Sequence, residues 1–281
     1  VLEVLAALPG HLLFRARMRV AAELAAVLPA DVDVHGFAVL HVLGDGRARS
    51  QQDLAEAVAV SGTTLGTVAA ALVRQRLVAR VRNPADRRSW LLTRTPAADD
   101  ALRAWGAHVD EVVRRLTAPL GTSGAAELRD LLHAVADPHL PAPVPPVLRA
   151  STGFLVTRVH ERAHRDFLEA LAPVGLEPRH FAALVVLAET GPVPQADLAR
   201  HLGLSGARVV QIVDGLEERG LVSRRAAAGD RRTHLLHREA GADAATDAAR
   251  AVGARAIEDL LSPLSAEERS RLSALLRAFV S

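Results

Sequence analysis

Arginine supplies nearly all the cationic chemistry of this chain. There is no Lys, Tyr or Cys among its 281 residues, so neither thiolate metal sites nor disulfides are available. Formal charge is only +2, yet the sequence pI is about 10.5 because arginine does not titrate in the usual range. The charge is also local. Seven Arg and one Asp lie between Arg74 and Arg94, and six Arg and one Asp between Arg219 and Arg238. Forked guanidinium groups at this density suit phosphates, which they grip bidentately. Arg82, Arg87 and Arg88 in the first cluster, and Arg225, Arg231 and Arg232 in the second, are the candidates for contact with double-stranded DNA. Just ahead of each cluster lies a second set, Thr63, Thr64, Thr67 and Arg74 in one case and Ala207, Arg208 and Gln211 in the other. Arg208 has the donors for guanine and Gln211 the donor and acceptor for adenine, whereas the threonine hydroxyls suit phosphates and weak base readout. His160 and His164 are four apart and share a helical face, and His180 follows closely. Zinc needs three or four ligands in tetrahedral array, which spacing alone does not establish, so no metal is expected. No nucleophile–base pair, glycine-rich phosphate loop or carboxylate dyad stands out, so neither an enzyme nor a cofactor is expected. Aromatics make up 3% of the chain, too few for single-strand stacking platforms.

The elements that hold these residues are written twice. Phe37-Ala38-Val39-Leu40 aligns with Phe181-Ala182-Ala183-Leu184, Asp53-Leu54-Ala55 with Asp197-Leu198-Ala199, and Ser61-Gly62 with Ser205-Gly206. Leu77-Val78-Ala79-Arg80 aligns with Leu221-Val222-Ser223-Arg224, and Asp86-Arg87-Arg88 with Asp230-Arg231-Arg232, always 144 residues apart. A gapless period this long is a duplicated domain. Each copy opens on a long amphipathic helix, over 5–28 with Leu24, Val27 and Leu28 in register, and over 148–172. Three short helices follow, near 35–44, 51–58 and 61–76, with counterparts near 179–189, 195–202 and 205–220. Ser61 and Ser205 are placed to cap the third of each set. In that third helix Leu65, Val68, Ala69 and Leu72 should face inward, as should Val209, Ile212, Val213 and Leu216. A short hairpin comes next, its turns at Asn83-Pro84-Ala85-Asp86 and at 226–230. Two helices close each copy, near 97–118 and 124–136 and near 240–261 and 266–280, the last opened by a capping box of Ser265 and Glu268.

The organisation expected is a first module over 1–137, a proline-rich linker over 138–147 and a second module over 148–281. The fold class is mainly α, each module carrying a small two-stranded wing and long terminal helices. The apolar stretch at 1–13 has no basic region before it and reads as a packing helix, and no apolar run is long enough for a membrane span.

The order of helix, three-helix core, wing and two helices resembles the MarR family of bacterial transcriptional regulators. The resemblance rests on the Asp-Leu-Ala helices, the serine-led helices after them, the Leu-Val-x-Arg exits, the Asp-Arg-Arg wing tips and the run 175–181. It implies two winged helix-turn-helix modules, a recognition helix in the major groove and a wing arginine in the minor groove. It further implies a small-molecule effector bound in a helical cleft, where His160, His164, His180, Arg15, Met18, Arg158 and Arg162 are the candidates. The expectation is therefore a cytoplasmic, ligand-responsive repressor that reads a pseudo-palindromic or asymmetric site as a monomeric chain packed as a pseudo-dimer. The competing expectation is a MarR-like scaffold that no longer binds DNA and works as a small-molecule sensor, partner-binding protein or enzyme.

Overall fold

A computed structural model describes residues 3–6, 8–29, 33–86, 88–139, 144–227 and 230–281, with the backbone alone at 6, 139 and 230–233. In chain order the elements are α1 (Glu3–Ala6), α2 (Pro9–Val27), α3 (Val34–Val42), α4 (Gln51–Val58), α5 (Gly62–Arg74), β1 (Val78–Arg82), β2 (Trp90–Arg94), α6 (Ala97–Thr117), α7 (Gly121–Ala136) and α8 (Pro146–Arg149). The second series is α9 (Thr152–Leu171), α10 (Pro178–Thr190), β3 (Val193–Pro194), α11 (Gln195–Leu202), α12 (Gly206–Glu218), β4 (Val222–Ala227), β5 (Asp230–Arg238), α13 (Ala242–Leu260) and α14 (Ala266–Val280). Among the described residues no single helix is long and apolar enough to cross a membrane.

The fold is mainly α, with two winged helix-turn-helix modules. α4 and α11 start 144 residues apart, as do α5 and α12. The hairpins repeat to the residue: Val78 opposes Arg94 and Arg82 opposes Trp90 in one, while Val222 opposes Arg238 and Ala226 opposes His234 in the other. Even the third strand recurs, as β3 pairing Val193 with Leu236 and as an isolated bridge from Arg49 to Leu92. Left-handed turns recur too. Ala59 and Arg76 hold positive φ of 57° and 60° where the second copy has Gly203 and Gly220 at 67° and 65°. Glycine removes the Cβ strain of that conformation, so the second copy makes these turns at lower conformational cost.

The chain divides into two compact units. One comprises Val1–Leu12 with Arg162–Ser262, the other Leu13–Glu161 with Pro263–Ser281. Each unit thus takes a terminal segment from the opposite repeat. In the first, α1 packs on α10, and Leu5 is wholly buried in a cluster with Leu184, Ile212 and Leu236. In the second, α14 packs on α7, and a cluster around Leu40, Leu54, Leu65, Leu72 and Leu92 forms the core. Val144, inside the expected linker, and Leu148, just after it, are buried in that core.

The long opening helices are interrupted. Pro9 lacks an amide proton and starts a new helix, so the stretch over 5–28 is divided into α1 and α2. Its buried stripe is Leu12, Leu13, Ala16 and Val20, whereas Leu24, Val27 and Leu28 are only half-buried. Helical spacing selects a face but not how far along it the packing partner extends. The stretch over 148–172 is likewise divided, because Ser151 caps α9 by accepting the Phe154 amide at 3.3 Å.

Candidate nucleic-acid interface

Each recognition helix buries the face its spacing predicts. In α5, Leu65, Val68, Ala69 and Leu72 are buried, and in α12 so are Val209, Ile212, Val213 and Leu216. Thr63, Thr67 and Arg74 are exposed on α5, and Ala207, Arg208 and Gln211 on α12. Thr64 departs from the expectation. It is half-buried, and its hydroxyl lies 2.9 Å from the Ser61 hydroxyl, which also caps the Thr64 amide at 3.1 Å. Thr67 donates to the Thr63 carbonyl at 3.3 Å. Two of the three hydroxyls are therefore engaged by their own helix. Ser205 holds the N-cap backbone conformation of α12, with no side-chain cap bond.

The two helices carry opposite charge. α5 has Arg74 and no acid, whereas α12 has Arg208 against Asp214, Glu217 and Glu218. The difference extends to the strand beside each helix. Arg224 on β4 meets Asp214 at 2.7 Å and also pairs with Glu217, whose other oxygen accepts the Arg224 amide at 2.9 Å. Gln195 accepts from the same guanidinium at 3.3 Å. Arg224 thus ties the wing to the recognition helix and is neutralised there. Its counterpart is Arg80, and the helix positions equivalent to Asp214 and Glu217 are Ala70 and Val73; Arg80 is exposed and has no ion pair among the described residues. Sequence reasoning missed this contrast. The signal was available in the aligned pairs 70/214 and 73/217.

In the first wing, Asn83 accepts the Ala85 amide at 3.0 Å and donates to the Ser89 hydroxyl at 3.0 Å. Asp86 accepts the Arg88 amide at 3.0 Å, so the carboxylate shapes the turn through backbone while the Arg88 side chain stays exposed. The Arg82 guanidinium stacks 4.1 Å above the ring of Trp90, which is 47% exposed. Arg87 lies outside the described residues, as do the side chains of Arg231 and Arg232. In the second wing Arg225 is occupied: it pairs with Glu239 at 2.7 Å and donates to Ser223 at 3.0 Å. The Ser223 hydroxyl and then Arg225 hold the Glu239 carboxyl below its ordinary range.

Several of the candidate pocket residues make contacts of their own. His180 is 2% exposed and accepts the Glu177 amide on Nδ1 at 3.2 Å, capping α10. Burial, and then Arg219, lower its pKa, which favours the neutral ring that can accept. Its ring fills the space over Gly215, where a Cβ would come within 2.9 Å of Nε2. The first copy has Gly36 and Ala71 at the equivalent positions, so neither carries a ring. His160 is buried with its ring 6.1 Å from Phe14, and His164 is exposed. Arg162 pairs with Asp166 at 2.6 Å, Arg158 donates to the Glu56 carbonyl, and Arg15 donates to the Val280 carbonyl at 3.3 Å. Met18 is exposed. Among the described residues no three of His, Asp or Glu come together as a metal site would need. Two open clefts of about 550 Å³ and 560 Å³ are lined around Glu127 and Arg271 and around Leu176 and Arg219, not by these candidates.

A family model described as MarR family matches residues 30–89 and again 174–233, two spans that are themselves 144 apart. A Thauera aromatica protein named "Putative transcriptional regulatory protein for hcr operon" is 32% identical over 127 residues, covering 44% of this chain and 76% of its own. The chain belongs to the MarR family. It carries in tandem two of the modules of this family of DNA-binding transcriptional regulators. Solved structures similar to it include CouR from Rhodococcus jostii RHA1 bound to p-coumaroyl-CoA, 30% identical, covering 47% of this chain and 94% of that one, with a TM-score of 0.43. CouR described as a transcriptional repressor bound to a 23-mer DNA duplex is 32% identical, covering 44% and 89%, also with a TM-score of 0.43. Each spans less than half of this chain.

Proposed function

We propose that this MarR-family chain is a ligand-responsive repressor that reads double-stranded DNA as a pseudo-dimer within one molecule. The observation that carries the reading is the doubled constellation: an exposed recognition-helix face, followed at constant spacing by an arginine-bearing wing. Intramolecular pairing is supported by the terminal helices, since α1 packs with the second repeat and α14 with the first. The effector is proposed to be a small aromatic or anionic molecule, as expected of the family.

The acids of α12 favour a second reading, in which the scaffold has lost DNA binding and senses a small molecule. One experiment separates the two. Titration of the DNA upstream of the chain's own gene at two salt concentrations should give tight binding with a steep salt slope. Replacing Arg88 and Arg232 with Ala should weaken binding to every sequence and flatten that slope. Salt-independent or absent binding would select the scaffold reading. Light scattering should give the mass of one chain; a stable dimer of chains would overturn the intramolecular pairing.

A further inference from the structure

Residues 127 and 271 are the same position of the two repeats, 144 apart. They touch each other. Arg271 donates from Nε and Nη2 to the two carboxylate oxygens of Glu127, both at 2.7 Å. A residue meets its own symmetry equivalent only on a two-fold axis, so this contact marks a local pseudo-dyad between α7 and α14. Neighbouring contacts agree: a Cβ on Gly124 would lie 3.5 Å from Leu275, the equivalent of Leu131, as antiparallel helices crossing at 127 require. On a true two-fold axis this position must face a copy of itself. Here duplication has let it diverge to opposite charges.

We propose that Glu127 and Arg271 are a pairing code that makes first-repeat-to-second-repeat association favourable and like-repeat association unfavourable. The partner this surface fits is the α7/α14 face of the opposite repeat. Pairing two first repeats would set carboxylate on carboxylate, and pairing two second repeats would set guanidinium on guanidinium. The neighbouring contact acts in the same direction. Leu275 rides over Gly124, whereas in a pair of second repeats Leu275 would meet the equivalent of Gly124, which is Glu268. The pair is accessible, so its contribution is that of a surface ion pair, about a fivefold preference per contact. It selects between otherwise similar apolar interfaces and does not hold them together. The proposal rests on the one-chain pairing above only for which copy supplies the partner.

The test uses full-length chains carrying two different affinity tags, co-expressed and captured through one tag. E127R leaves a chain with two arginines at the axis and R271E a chain with two glutamates. Opposite charges are then available only by exchange between chains. Cross-capture of E127R with R271E should exceed that of two wild-type chains by about fivefold or more, and E127R/R271E should return to the wild-type level. Each single variant should melt below wild type, and the double reversal should recover the loss, with the difference shrinking at high salt. If a reversed-charge chain fails to fold, E127Q, R271Q and their combination give the same coupling by melting. Equal cross-capture of all combinations, or strictly additive melting shifts, would overturn the code. Strong cross-capture between wild-type chains would instead overturn the intramolecular reading, and the ratio between combinations would still decide the code.

Discussion

His180 connects one buried contact to a measurable pH dependence. Burial and Arg219 lower its pKa, so the folded chain resists the proton that the unfolded chain accepts near the ordinary value of about 6.5. Stability from this group is complete above that value and is lost as pH falls through the folded pKa. His41 in the first copy, lowered by burial and then by Arg94, has the same sign. Urea titrations above about pH 7 and near pH 5 should therefore show a drop in stability on acidification. The drop should shrink in His180→Gln, and an unchanged drop would assign it elsewhere. Gly215 belongs to the same contact. Gly215→Ala pushes a methyl against the imidazole and should cost roughly 1–3 kcal/mol. The cost should be smaller in a His180→Ala background, which a double-mutant cycle would show; equal costs in both backgrounds would mean the ring moves aside freely.

At the scale of elements, the matching arginines of the two wings sit in different surroundings. Arg80 is exposed beside an acid-free helix, while Arg224 is held by Asp214 and Glu217. Arg80→Ala should lower the slope of log affinity against log salt by roughly 1 while leaving the melting temperature near wild type. Arg224→Ala should do the reverse, lowering the melting temperature by freeing the wing from α12 with two carboxylates left uncompensated. Salt titrations of DNA binding and thermal melts of both variants check the contrast, and matching behaviour of the two would refute it. The first copy exposes Arg74 and Arg80 here, the second Arg208 and Gln211 beside its acids.

For the whole molecule, fusion removes the requirement that a homodimer read a palindrome. The outward residues differ at 63/207, 64/208 and 67/211, so the half-sites need not match. Selection from a random duplex library should recover an asymmetric site. Arg208→Ala should relax one half-site by ~1–3 kcal/mol of discrimination, whereas Thr64→Ala should do little to base preference, its hydroxyl being engaged with Ser61. A perfect palindrome with both halves equally constrained would rule this out.

What the sequence determined by itself was local and periodic. The duplication, the buried faces of α5 and α12, the hairpins and the Ser265–Glu268 capping box all follow from spacings of a few residues or from a constant offset. Helical and strand periods alone decide which side chains turn inward. Tertiary structure decided which charges remain available. Arg224 is neutralised by a helix that precedes it, Arg225 by Glu239 across the hairpin, and Glu127 by Arg271 from the other repeat. It also decided that His180 caps and packs, and that Leu12, Leu13, Ala16 and Val20 are the buried stripe of α2 in place of its last turns. An ion pair or a packing contact forms between elements, and its partners are brought together by the fold at distances along the chain that no local pattern records.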